Sequence, residues 1–137
     1  MRDWYERTIR GEINGVEIGG VTDFMVATGV KEPEIPYFYI QEFKPSKPSV
    51  FPEDQLLAEL MVFVELNGTP AMKGAYIVGQ FWTFVMLEKQ LDGGFVLYLV
   101  PSLDALKLED LQQIYKHLKA VKAEILLKVN TLTHRYV

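Results

Sequence analysis

Residues 36–44 read PYFYIQEFK, a strand-forming run that stays apolar for most of its length and then ends in Glu42 and Lys44. Alternation along an extended chain places Phe38, Ile40, Glu42 and Lys44 on one face and Tyr37, Tyr39, Gln41 and Phe43 on the other. The charged pair therefore continues an apolar row. Such a row ends either in a solvated strand terminus or in polar groups at the mouth of a cleft, and the flanking sequence has to decide between the two.

Upstream, Arg7 to Ile13 and Val16 to Ala27 are β-leaning runs joined by Asn14-Gly15, the strongest short-range signal for a two-residue hairpin. Gly29 to Pro36 reads as a loop, and the quoted run is then a third strand. Downstream, PSKPSVFP (45–52) holds three prolines, which neither donate to a ladder nor sit inside a helix, so it reads as an exposed loop. Glu53 and Asp54 then suit the first turn of a helix, and QLLAELMVFVEL carries it to a stop at Asn67-Gly68. That helix is apolar nearly all round, with Gln55 and Glu59 four apart on one side, which predicts burial against a sheet.

GAYIVGQFWTFVMLE (74–88) is two β-rich runs meeting at Gly79-Gln80, a type II′ signal, and Asp92-Gly93-Gly94 turns the chain into FVLYLV. Beyond Pro101, Leu108, Leu111, Ile114, Leu118, Val121 and Ile125 recur at spacings of three and four and predict a long amphipathic helix. Strands, helix, strands, helix is an α+β order.

The 137 residues fit one domain over 1–137, without internal repeats, and bury roughly two thirds of the unfolded surface. Hydrophobic residues at 49% and charged ones at 23% are ordinary for a folded soluble protein. The first twelve residues, MRDWYERTIRGE, lack an apolar signal-peptide core, and no window reaches 18 apolar residues, so a cytoplasmic protein with no membrane span is expected. With Cys 0, thiolate nucleophiles and Cys-ligated metals are excluded. Two histidines, His117 and His134, and three serines outside any G-x-S-x-G context argue against serine-type acyl transfer. The net charge of −4 divides into −6 over residues 1–102 (8 basic, 14 acidic) and +2 over 103–137 (6 basic, 4 acidic). A phosphate-facing patch is thus expected in the C-terminal third, with Lys116, Lys119 and Lys122 as its stripe.

Asp23 lies on the second strand, in an alternating row with Val21, Met25 and Ala27, and precedes Glu42 by 19 residues. A strand Asp followed by Glu42-Phe43-Lys44 on the neighbouring strand, with a helix after it, resembles the PD-(D/E)XK nuclease superfamily. The resemblance spans roughly residues 7–80. It implies a restriction-endonuclease-like core, a central mixed β-sheet flanked by helices, in which Asp23 and Glu42 hold Mg²⁺ or Mn²⁺, while Lys44 positions or polarises the water attacking a DNA phosphodiester. Gln55 is similar to the glutamine that supports the site in the RecB-like subset, although Glu59 stands where that subset has tyrosine. The run from Trp4 through PYFYIQEFK to FWTFVMLE also looks like short bacterial proteins with this core. The superfamily core normally opens with a helix that often supplies a glutamate to the metal. Only about six residues precede the first expected strand here, which leaves Glu6 as a remnant of that role and Glu12 as a substitute.

The hard-cation chemistry stands on its own terms. Carboxylate oxygens suit Mg²⁺, and a metal at the scissile phosphate both stabilises developing charge and acidifies bound water. Glu-x-Lys spacing is required because residues i and i+2 share a strand face. The alternative is a catalytically inactive module that keeps the fold for protein interaction or self-association, a homodimer included. The dense aromatic and aliphatic content of 74–100, with Tyr76, Trp82 and Phe84, motivates it. A third expectation is nucleic-acid binding without cleavage, through the lysine stripe.

Overall fold

The computed structural model describes residues 2–29, 31, 33–44 and 52–135, with the side chains of 34–36, 52 and 131–135 outside that description. The proline-rich segment 45–51 with Lys47 lies outside it, as does the His134 side chain. Strands β1 (Arg2–Ile13), β2 (Val16–Thr28) and β3 (Glu34–Lys44) are antiparallel neighbours. Helix α1 (Pro52–Asn67) then carries the chain to β4 (Ala71–Val78), which pairs parallel with β3. A parallel neighbour cannot be reached through a tight turn, which is why a helix intervenes. β5 (Phe81–Lys89) and β6 (Phe95–Leu99) extend the sheet by antiparallel pairing. The short β7 (Leu103–Asp104) pairs with β5 at Trp82 and Phe81, and α2 (Leu108–Arg135) follows. The fold is α+β: the described residues form an open mixed sheet of seven strands in the order β1-β2-β3-β4-β5-β6, β7 lying off that path, and two helices. No described helix is long and apolar enough to cross a membrane.

The hairpin signals translate directly into backbone geometry. Asn14 and Gly15 both have positive φ, 51° and 80°, as a type I′ turn needs, and they join Ile13 to Val16. At the β4–β5 turn only Gly79 does, at 59°, the pattern of type II′.

Each helix covers one face of the sheet. Under α1, Leu56, Leu60 and Phe63 pack on Trp4, Ile9, Met25, Ile40, Met72 and Leu87. The helix lies close because Gly11 and Gly74 present no side chain: a Cβ on Gly74 would stand 2.8 Å from the Ile40 carbonyl oxygen and 3.4 Å from Leu56. On the opposite face, Ile114 and Ile125 of α2 pack on Phe38, Tyr39, Ala75, Ile77 and Phe84. Lys73 reaches across to Glu124 of α2 at 2.7 Å. Of the expected α2 stripe Ile114 and Ile125 are buried and Leu118 and Val121 half-buried, whereas Leu108 and Leu111 at its start are exposed.

Two irregularities redirect side chains. β1 begins at Arg2, five residues earlier than the expected Arg7, because Arg2 to Tyr5 pair with Ala27 to Phe24 and Trp4 enters the core. The ladder then skips Glu6 and Asp23, with Glu6 at a positive φ of 49°. Trp4 and Ile9 on β1, and Gly20 and Met25 on β2, all face α1 although five residues separate each pair. Uninterrupted alternation would put them on opposite faces, so both strands change face at Glu6 and Asp23. In β3 the register with β2 shifts between Tyr37 and Tyr39, leaving Phe38 as an extra residue. Tyr37 consequently stacks on Phe63 of α1, ring centroids 4.8 Å apart, and Phe38 joins the α2 face. This reverses the positions alternation gave them, while Ile40 and Glu42 share a face as expected, the one that α1 covers.

Candidate active site

The row that opened the sequence question ends beneath the N-terminal half of α1. Ile40 and Glu42 are both completely buried, and Lys44, two residues on, is partly exposed. Glu42 is paired in the parallel ladder with Tyr76 and Lys44 with Val78, so β4 fixes the backbone on which both side chains stand. Gln55, in the first turns of α1, donates from Nε2 to Glu42 Oε2 at 3.1 Å and to Glu59 Oε1 at 3.4 Å. Helical spacing of four puts Gln55 and Glu59 on one side of α1, and here that side points into the sheet.

Asp23 reaches the same place from β2. The β2–β3 ladder ends at Phe24 and Gln41, and the next amide, that of Phe43, donates to Asp23 Oδ2 at 2.7 Å. The side chain thus takes over where the backbone ladder stops. The face change at Glu6 and Asp23 is what leaves this carboxylate free to do so.

Two oxygens in the cluster have no hydrogen-bond donor among the described residues: Oε1 of Glu42 and Oε2 of Glu59, the latter residue only 3% exposed. Burial pushes the Glu42 carboxyl up to about 10, with the neighbouring Glu59 and then Asp23 adding to the shift. Glu59 is also raised, by burial first, although its hydrogen bonds to Glu42 and Gln55 and the charge of Lys44 work the other way. The two glutamates lie within hydrogen-bonding reach of each other, and a dry pair of carboxyls cannot both be ionised without a cation or a shared proton between them. Beside the pair, a cavity of about 160 Å³ is lined by Gln55, Glu59 and Ala58 of α1 and by Ile18, Gly19 and Gly20 of β2.

All four sequence-derived site residues, Asp23, Glu42, Lys44 and Gln55, therefore converge where the middle of β2 meets the C-terminal end of β3 and the first turns of α1. Glu59 belongs to the same cluster and was not among them. Its signal was present as an acid four residues after Gln55 in a helix otherwise apolar, but periodicity does not say which side of a helix faces inward. Glu6 and Glu12 are exposed on β1 and stand apart from the cluster's bonds. His117 is stacked on Phe84, centroids 4.6 Å apart, on the α2 side. Lys116, Lys119 and Lys122 are exposed on α2, across the sheet from Glu42. Among the described residues no set of three His, Asp or Glu side chains already has the geometry to hold a metal ion. No protein-family model, curated protein or solved structure matches the chain.

Proposed function

We propose that this protein is a metal-dependent phosphodiesterase acting on DNA, of the PD-(D/E)XK kind, with its site at Asp23, Glu42, Lys44 and Gln55. Glu42 carries the reading: a carboxyl with no solvent exposure and one oxygen without a donor, gathered with two other acids and a supporting amide. Burying such a group is costly, and a perturbed carboxyl beside specific charged partners is a mark of functional sites.

The residues fit a divalent cation. Their donors are hard carboxylate oxygens, and two of those oxygens are buried and uncommitted. Asp23 and Glu42 would hold Mg²⁺ or Mn²⁺, which when bound stabilises charge on a phosphodiester and lowers the pKa of an adjacent water. Gln55 fixes the Glu42 carboxylate by occupying Oε2, so that Oε1 is the oxygen left to bind. Lys44 stands at the solvent end of the row, where its ammonium orients a water or offsets the negative charge that develops on phosphate. A cytoplasmic setting with DNA as the partner belongs to the same reading.

Wild type is expected to cut supercoiled plasmid or single-stranded DNA when Mg²⁺ or Mn²⁺ is supplied, and Asp23→Asn to lose that cutting while remaining folded. No cutting by folded wild type on either substrate would count against the reading.

A second reading, a non-catalytic module for self-association or protein interaction, is favoured by apolar side chains exposed along the edge strand β6 and α2. Val96, Tyr98 and Leu99 lie on the first, and Leu111, Tyr115 and Leu127 on the second. It requires association at micromolar concentration in sedimentation and no effect of metal.

A further inference from the structure

Resting on the metal-site reading, we propose that Glu59 is itself a ligand of the cation, holding it together with Glu42. The residue occupies the helix position that faces Glu42, and its Oε2 has no donor in a setting where only 3% of the residue is exposed. Gln55 bridges the two acids, giving one N–H contact to Oε2 of Glu42 and one to Oε1 of Glu59. That bridge uses one oxygen of each carboxyl and leaves the other on each without an N–H donor among the described residues, which is the arrangement two carboxylates need to close on a shared positive ion in place of a shared proton.

The other acids are less available for this role. Asp23 accepts from the Phe43 amide at Oδ2 and so has one oxygen for the ion, beside Glu42 and Glu59 and not in place of them, whereas Glu6 and Glu12 are exposed on β1. The surroundings also leave room. Gly20 faces Glu59, where even a Cβ would come to 3.5 Å of Oε1, and the cavity of about 160 Å³ reaches Glu59 and Gln55 from that side. At about 30 Å³ per liquid water, it has space for several molecules of a hydration shell. Mg²⁺ and Mn²⁺ retain water readily, so a site with few protein oxygens and an adjoining cavity suits them.

Calorimetric titration of the full chain with Mn²⁺ separates this inference from the reading beneath it. The variants are Glu59→Gln, which keeps the shape and the acceptor for Gln55, Glu59→Asp, which keeps the charge but shortens the reach, and Asp23→Asn, each checked by circular dichroism. Wild type is expected to bind Mn²⁺, with affinity reduced on the order of tenfold or more in Glu59→Gln and measurably in Glu59→Asp. Wild-type affinity in folded Glu59 variants, with loss in Asp23→Asn, would overturn the role of Glu59 and leave the Asp23–Glu42 site standing. Absence of Mn²⁺ binding by wild type would overturn both.

Discussion

At Glu42 and Glu59 the chain keeps two carboxyls out of water, and the consequence is measurable without any substrate. Below about pH 4.5, the ordinary value for this carboxyl, Glu42 is protonated whether the chain is folded or not. Between there and about 10 the folded protein retains a proton that the unfolded chain releases, so the folded state is progressively disfavoured as pH rises. In chelator, unfolding free energy is therefore expected to fall between pH 5.5 and 8, by at most about 1.4 kcal/mol per pH unit for one proton. Glu42→Gln removes the titrating group, and denaturant melts across the same range should show a flatter slope. An unchanged slope in that variant would mean that the proton resides elsewhere.

Elements succeed or fail by how local their signals are. The turns at Asn14-Gly15 and Gly79-Gln80 were legible because each is decided by two residues and their φ angles. The crossover helix and its parallel strand were half legible: a helix between strands was evident, but which strands it joins side by side depends on the whole sheet. The first five residues of β1 and the row containing Asp23 were misread for one reason. A period of two cannot be followed through a point where both strands change face, and nothing in the sequence around Glu6 advertises that change. Similarly, Phe38 and Tyr37 exchange faces at a bulge set by pairing with Val26 and Ala27, partners distant in sequence. The seating of α1 depends on small residues beneath it, and Gly74→Ala tests this. Its new methyl would meet the Ile40 carbonyl, which is backbone and cannot rotate away, so a loss of about 1–3 kcal/mol in denaturant unfolding is expected. A neutral result would show that α1 does not depend on that close approach.

For the molecule as a whole, the sheet separates two chemistries. Its α1 face carries the buried acids and Gln55, and its α2 face carries an apolar core, the His117–Phe84 stack and an outer surface with Lys116, Lys119, Lys122 and Lys128 exposed. That Asp23, Glu42 and Lys44 come together could be read in the sequence, because Glu42 and Lys44 lie two residues apart on one strand and Asp23 on its neighbour. The lysine stripe could not be placed, since only the packing of α2 shows that it lies across the sheet from those acids. The net charge of −4 makes DNA attraction weak unless a cation or Lys44 supplies local positive charge at the acids. In the proposed reading, function therefore turns on Lys44, the basic residue on the same row as Glu42. The most direct measurement is the nicking rate of supercoiled plasmid by Lys44→Ala beside wild type, at saturating Mn²⁺. We expect wild-type nicking to depend on the metal and the variant to be slower by about 10²-fold or more with its Mn²⁺ affinity preserved, since Lys44 serves the chemistry and the carboxylates hold the ion. Nicking by Lys44→Ala at the wild-type rate, or none by wild type itself, would contradict the assignment of this site.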